Sequence, residues 1–72
     1  MVLDDRKKEI ILMMAECDMK YCTVAKRLYL HWNTIFYHMN KIEQITGLNP
    51  RKFYDLIELV KMVKDGDGNE ND

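Results

Sequence analysis

Residues 22–47 read CTVAKRLYLHWNTIFYHMNKIEQITG, and this stretch predicts two helices joined by a short turn. Apolar side chains recur at helical spacing on both sides of a break at residues 29–31: Val24, Ala25 and Leu28 before it, and Ile35, Met39, Ile42 and Ile45 after it. Two helices joined by about three residues cross steeply, as in a helix-turn-helix. The small Ala25 lets the helices approach closely, and Leu30 is the apolar residue expected inside the turn.

The second helix, predicted near residues 32–46, has an outer face of aromatic and polar side chains. Helix-turn-helix modules place this face in the major groove of DNA. Two roles fit Asn33: its amide can contact an adenine edge, or it can satisfy the first turn of its own helix. The face comprises Trp32, Asn33, Phe36, Tyr37, Asn40 and Lys41.

The segment AKRLYLHWNTIFYHMNKIEQITGLN resembles the C-terminal helix-turn-helix domain of PucR and CdaR (sugar-diacid regulator) type bacterial transcription regulators, which is itself similar to the DNA-binding end of Fis. The resemblance extends over residues 10–63, and it implies that His31 holds the turn or touches a phosphate. The matching residues are Ala25, Leu28, Tyr29, Leu30, His31, Asn33, Thr34, Ile35, Tyr37, Met39, Ile42, Glu43, Thr46, Gly47 and Leu48.

The chain departs from this family pattern on the outer face. The family usually carries arginine at the positions of Trp32, Phe36, His38 and Asn40, so only Lys41 keeps a firm positive charge there. Basic side chains supply most non-specific affinity for DNA, so a weaker grip is expected. The adjacent Trp32 and Phe36 fit two partners, thymine methyl groups or the apolar centre of a protein interface.

Charge is distributed unevenly along the chain, although its net value is only −1. Residues 19–52 carry six basic and one acidic side chain, so the positive field lies on the predicted helix-turn-helix. Lys20, Lys26 and Arg27 are candidates for phosphate contacts; a solvated helix face is the competing interpretation. The candidate DNA-binding residues are Lys20, Lys26, Arg27, His31, Trp32, Asn33, Thr34, Phe36, Tyr37, Asn40 and Lys41.

Helices near residues 4–16 and 50–64 complete an all-α domain of about four helices over residues 1–64. Asp4 and Asp5 open the first helix, whose broad apolar stripe fits either a partner chain or complete burial. The helix before the turn is predicted near residues 23–29, and Thr23 is expected to cap it. Asn49 is expected to cap the last one, with Pro50 in its first turn and Gly47 ending the helix before it. Residues 65–72 are expected to be a disordered acidic tail.

Other classes of function receive little support. Cys17 and Cys22 without a signal peptide indicate free thiols in the cytoplasm. A zinc site of Cys17, Cys22, His31 and His38 fits no common finger spacing, so neither metal nor cofactor is expected. No segment is long enough to span a membrane, and no nucleophile is paired with a base, so no enzyme is predicted.

The favoured function is therefore that of a DNA-binding domain of a bacterial transcription regulator, acting on double-stranded DNA as a homodimer because one short helix reads few bases. The alternative is a degenerate helix-turn-helix that binds a protein partner, or a second copy, through Trp32 and Phe36. The family usually places this domain at the end of a longer regulator, so a cut-out domain and a free-standing small protein both fit the sequence.

Overall fold

The computed structural model describes residues 3–67, with side chains described as far as residue 65. It contains four helices, which are α1 (Asp5–Glu16), α2 (Tyr21–Leu28), α3 (Trp32–Thr46) and α4 (Phe53–Asp67). No strand occurs within this described range. The prediction of an all-α domain with a helix-turn-helix is confirmed, and α3 has the predicted bounds.

Helix α1 is the centre of the fold and packs against each of the other three helices. Its residues Ile10, Ile11 and Met14 are almost completely shielded from solvent, and each such side chain contributes about 1.5–3 kcal/mol through burial. The broad apolar stripe of α1 is thus explained by contacts inside the domain. The side chain of Asp4 caps the helix by accepting the backbone N–H of Lys7 at 2.8 Å, so α1 begins at Asp5, one residue after its predicted start.

Two backbone hydrogen bonds close the turn between α2 and α3. The Leu30 N–H donates to the Ala25 carbonyl at 2.9 Å, and the Tyr29 N–H donates to the Lys26 carbonyl at 3.2 Å. This pairing is a Schellman motif, which requires a left-handed residue at its centre. Tyr29 takes that conformation with φ 57°, while Leu30 packs against the core as predicted.

Helix α3 ends at Gly47, as the sequence predicts. Gly47 has φ 78°, a backbone conformation that disfavours side chains, and its N–H donates to the Glu43 carbonyl at 2.7 Å. Thr46 reinforces this end because its hydroxyl donates to the Ile42 carbonyl at 2.8 Å and accepts the Leu48 N–H at 3.1 Å. The exit from α3 is therefore well defined.

The start of α2 was predicted wrongly. The helix begins at Tyr21 and not at residue 23, with Lys20 in the cap position and no side chain capping it. Tertiary packing explains the difference, because the Tyr21 ring lies against Phe36 of α3, with 4.7 Å between the ring centres. This contact stabilises a first turn that lacks a capping signal in the sequence.

The start of α4 also differs from the prediction. Asn49 caps a separate turn by accepting the Arg51 N–H on its side-chain oxygen at 2.9 Å, and α4 begins only at Phe53. The Asp55 carboxylate accepts the Asn49 N–H at 3.1 Å, which ties the turn to α4. Pro50 is buried in this turn and does not occupy the first turn of the helix.

Helix α4 extends to Asp67, past its predicted end at residue 64 and into the predicted acidic tail. Residues 68–72 of that tail lie outside the described residues. Within the described part of the chain, no helix combines the length and apolar character needed to cross a membrane.

Candidate nucleic-acid interface

Helix α3 has two chemically different faces. Ile35, Met39 and Ile42 point into the core and are at most 1% exposed. The opposite side carries a row of exposed polar residues at spacings of four, three and four, which places them along one line of the helix. We call this the outer row, and it consists of Asn33, Tyr37, Asn40 and Gln44.

The outer row includes one residue that the sequence prediction omitted. Gln44 is exposed, and its spacing of four residues from Asn40 was the signal that could have identified it. Within the described residues, the side chains of Asn33, Asn40 and Gln44 form no hydrogen bond. Their amide groups are therefore available to an external partner.

His31 forms the cap of α3. Its Nδ1 accepts the backbone N–H of Asn33 at 3.1 Å, which satisfies one of the free N–H groups at the helix start. Within the described residues the Asn33 side chain forms no capping hydrogen bond, and its contact with a base edge stays a prediction. Because Nδ1 is the acceptor, the imidazole hydrogen lies on Nε2 of an exposed ring, where it can be donated to an external oxygen.

Four rings form a continuous aromatic cluster at the start of α2 and α3, made of Tyr21, His31, Trp32 and Phe36. The Trp32 and Phe36 ring centres are 5.6 Å apart, and those of His31 and Trp32 are 5.4 Å apart. Trp32 is 46% exposed, whereas Phe36 is half-buried. The expectation of an exposed aromatic pair is thus correct for Trp32 and wrong for Phe36.

Phe36 is covered from two directions. Tyr21 of α2 packs on it, and the guanidinium carbon of Arg51 lies 5.3 Å from the centre of its ring. Arg51 belongs to the turn between α3 and α4. Sequence inspection could not connect Arg51 to α3, because the two residues in contact are fifteen positions apart.

The cations of α2 and of its N-terminal cap position form no ion pairs within the described residues. Lys20, Lys26 and Arg27 are exposed at the start and end of α2, and none forms an ion pair within residues 3–67. On α1, by contrast, Arg6 pairs with Glu9 at 3.0 Å and Lys7 pairs with Asp4 at 3.1 Å. In the described part of the chain, unpaired cations therefore flank α2, and others are present on α4 at Lys61 and Lys64.

Lys41 and Thr34 lie beside the outer row and not on its centre line. The Lys41 ammonium is 5.7 Å from the centre of the Tyr37 ring, and both Lys41 and Thr34 are half-buried. The cation–π contact keeps the ammonium close to the exposed Tyr37. Of the two residues, Lys41 has the charge to contact DNA from this position.

His38 lies away from the outer row, on the side of α3 that faces the start of α1. Its Nδ1 is buried and has no hydrogen-bond partner within the described residues. Burial lowers the pKa of His38 below its usual value, the charges of Lys7 and Arg6 lower it further, and Asp4 opposes them. This histidine therefore belongs to the packing of α1 on α3.

An apolar groove of about 420 Å³ lies on another part of the surface, between α1, the α1–α2 turn and α4. Phe53 is 59% exposed at this groove, and no residue of α3 lines it. Asp18 and Lys61 add one acidic and one basic side chain. The full lining is Ala15, Asp18, Met19, Phe53, Leu56, Ile57, Val60 and Lys61.

The four residues weighed as a zinc site are not brought together. Cys17 is buried and Cys22 is exposed, while His31 is occupied in capping α3. Among the described residues, no three potential metal ligands of the His, Cys, Asp and Glu types form a group suited to a metal ion.

The fold and the polar outer row of α3 together define a helix-turn-helix domain of the DNA-binding type. Residues 9–63 match the PucR C-terminal helix-turn-helix domain, so the chain belongs to this family of regulator domains. The resemblance inferred from sequence is confirmed.

A protein of Haemophilus influenzae, described as an uncharacterized protein, is 48% identical to this chain over 46 residues. The match covers 64% of this chain and only 12% of that protein, so the relative is far longer than the region of similarity. No solved structure matches the chain.

Proposed function

We propose that this domain binds double-stranded DNA as the sequence-reading part of a bacterial transcription regulator, with α3 in the major groove. The observation that carries the proposal is the outer row, whose three amides have no partner within the described residues. Asparagine and glutamine amides bind adenine through two hydrogen bonds. We assign Asn33 to a base edge because it is in the first turn of α3, the end that usually meets bases.

The backbone of the duplex is contacted by residues around α3 in this proposal. Lys26 and Arg27 are exposed in the last turn of α2, the helix that crosses the DNA backbone in such modules. Lys20 and the Nε2–H of His31 add a cation and a donor. These contacts position the domain, while the outer row supplies specificity.

We further propose that the domain works as a homodimer whose contact is the apolar groove of α1 and α4. The occupant is a second copy, because a two-fold contact requires a self-complementary surface. Asp18 and Lys61 give the groove opposite charges, and neither forms an ion pair within the described residues, so a two-fold arrangement allows each acid to face the base of the other copy. The groove has no lining residue from α3, so both outer rows stay accessible.

The alternative function, a protein-interaction module at Trp32 and Phe36, has less support. Phe36 already has Tyr21 and Arg51 as partners inside the domain. Only Trp32 offers a large exposed apolar surface at this position. A cytoplasmic location and the absence of a catalytic activity are parts of the proposed regulator function.

The proposal is tested by measuring affinity for random-sequence duplex DNA by fluorescence anisotropy between 50 and 200 mM salt. We expect the logarithm of the affinity to fall linearly with the logarithm of salt concentration, with a slope of about −0.9 for each neutralised phosphate. Lys26→Gln with Arg27→Gln should flatten this slope, whereas Lys64→Gln on the exposed side of α4 should not. Salt-independent binding, or no binding at low salt, contradicts the proposal.

The specificity assignment is tested on a sequence selected from a random duplex library. Asn33→Ala should cost about 1–3 kcal/mol on the selected site and leave affinity for unselected DNA unchanged. Ile45→Ala, at an uncharged and 41% exposed position of α3 outside the outer row, is the matched control. An equal loss on both kinds of DNA would show that Asn33 does not read a base.

The dimer contact is tested by sedimentation equilibrium. Ile57→Ser and Lys61→Glu should each weaken self-association, the first by removing apolar contact and the second by opposing two acids across the axis. Glu58→Lys is exposed on the same helix and does not line the groove, so it should have no such effect. A wild-type monomer, or equal effects of all three changes, would overturn this contact.

A further inference from the structure

The turn between α3 and α4 holds Arg51 in a fixed position. The Arg51 N–H donates to the Asn49 side-chain oxygen at 2.9 Å, and the Lys52 N–H donates to the Asn49 carbonyl at 3.0 Å. The buried Pro50 adds a rigid residue between them. Asp55 fixes Asn49 from the other side by accepting its N–H at 3.1 Å. Little conformational freedom remains in the backbone that carries Arg51.

The Arg51 side chain reaches back to α3 and rests on Phe36, with 5.3 Å between the guanidinium carbon and the ring centre. Phe36 is itself held by Tyr21 at 4.7 Å and by Trp32 at 5.6 Å between ring centres. On a helix surface Phe36 neighbours Asn33, three positions before it, and Asn40, four positions after it. Arg51 is therefore placed beside the outer row.

The guanidinium group is free to bind an anion in this position. Arg51 is exposed and has no carboxylate within ion-pair distance among residues 3–67. A guanidinium that stacks on a ring keeps the N–H donors at its edge available, and these match the geometry of a phosphate. Within α3 itself, Lys41 is the only lysine or arginine, so Arg51 adds a second permanent positive charge to this surface.

We propose that Arg51 binds a phosphate of the DNA backbone and that Phe36 holds its guanidinium beside α3 for this purpose. The inference rests on the DNA binding proposed above and adds the α3–α4 turn to the interface. Lys52, exposed at the next position, extends the same positive surface. The aromatic cluster thus has a function within the domain, since it supports a phosphate contact that comes from outside the helix-turn-helix.

The test compares the salt dependence of duplex binding for the wild type and two variants, Arg51→Gln and Lys64→Gln. Arg51→Gln removes one charge at nearly constant size, so the slope should become shallower by about 0.9. The loss should be the same on selected and unselected sequences, because phosphates carry no sequence information. Lys64→Gln also removes one exposed cation, on α4, and should keep the wild-type slope.

The role of Phe36 is tested separately by Arg51→Lys, which keeps the charge and removes the planar stacking group. We expect weaker binding with a slope close to that of the wild type. Phe36→Leu should have the same effect, provided that its circular dichroism spectrum and melting temperature match those of a folded domain. Arg51→Lys serves as the deciding variant where Phe36→Leu does not fold.

Each result decides one point. An Arg51→Gln slope equal to that of the wild type overturns this inference while leaving DNA binding intact. Equal slope changes in Arg51→Gln and Lys64→Gln also overturn it, because they would indicate a general electrostatic attraction to DNA and not a specific contact between Arg51 and a phosphate. A loss of affinity in Arg51→Gln that is confined to one DNA sequence would indicate that Arg51 contacts a base and not a phosphate, and would also overturn the assignment. No salt-dependent binding by the wild type overturns both this inference and the proposed function.

Discussion

The Nδ1 of His31 accepts the backbone N–H of Asn33 at 3.1 Å, and this hydrogen bond begins the helix that carries the outer row. The side chain of Asn33 is thereby released from capping, although its own N–H is bound. His31 thus stabilises the helix start, and the side chain of Asn33, two positions later, is available for the proposed contact with DNA. This division of roles connects the stability of α3 with its function.

The first prediction is that His31→Ala destabilises the domain by about 1 kcal/mol, the usual cost of losing an N-terminal cap. In a domain of this size, such a loss lowers the melting temperature by about 4–8 °C. His31→Asn keeps an acceptor in the cap position and should recover most of the loss. Thermal unfolding followed by circular dichroism measures both. An Asn variant as unstable as the Ala variant would mean that the cap contributes nothing.

The second prediction concerns Ala25, which is 6% exposed and accepts the Leu30 N–H that closes the turn. Ala25→Leu should cost about 1–3 kcal/mol because the added carbons must displace packed neighbours. Glu16→Leu places the same side chain at an exposed position of α1 that does not line the apolar groove, and should stay within about 0.5 kcal/mol. Urea unfolding of both variants is the measurement, and equal midpoints would rule out a close α2–α3 crossing at Ala25.

Much of the fold could be predicted from sequence because its signals are local. The alternation of buried and exposed residues gave α3 its bounds, and Gly47 marked its end. The starts of α2 and α4 could not be predicted in the same way. Tyr21 begins α2 because it packs on Phe36, and Asn49 caps a separate turn because Asp55 holds its N–H. Both effects depend on contacts between residues that are distant in the chain.

The sequence predicted only part of the candidate surface, because helical spacing is a local signal and contacts between distant residues are not. Asn33, Tyr37 and Asn40 follow from helical spacing, and Gln44 would have followed from extending it. The burial of Phe36 beneath Arg51 could not be foreseen, since no periodic pattern relates a turn residue to the preceding helix. Tertiary contacts thus cover Phe36, which was expected to be exposed, and bring the basic Arg51 beside α3.

The third prediction is that stability falls between pH 7 and pH 5 and that His38 causes part of this loss. Burial lowers the pKa of His38 in the folded protein below its ordinary value of 6.5. The unfolded chain therefore binds the proton more readily, so stability rises with pH in this window and is complete above the unfolded pKa. Chemical denaturation at a series of pH values measures the slope.

His38→Gln should remove this part of the slope, because glutamine does not titrate. The capping residue Asp4 does not interfere: hydrogen bonds from Lys7 lower its pKa below 3.8, so its stabilising effect is lost only at still more acidic pH. His31→Asn controls for the other histidine. A His38→Gln variant with the wild-type slope would show that the buried Nδ1 has no energetic consequence.

The fourth prediction uses Trp32, the only tryptophan of the chain, to separate the two candidate functions. Its ring is 46% exposed at the first position of α3, so its fluorescence responds to whatever covers this surface. If α3 lies in the major groove of duplex DNA, adding DNA should quench or shift the Trp32 fluorescence. We expect this change to saturate with DNA and to weaken as salt concentration rises. Trp32→Ala should reduce affinity for DNA without changing the sedimentation behaviour. Tyr54→Ala, at a 79% exposed position of α4, should change neither.

The opposite outcome is a blue shift that grows with protein concentration in the absence of DNA, together with loss of self-association in Trp32→Ala. It would identify Trp32 as an interface anchor, for which truncation typically costs about 2 kcal/mol or more. That pair of results would show that the start of α3 serves protein association and not DNA recognition.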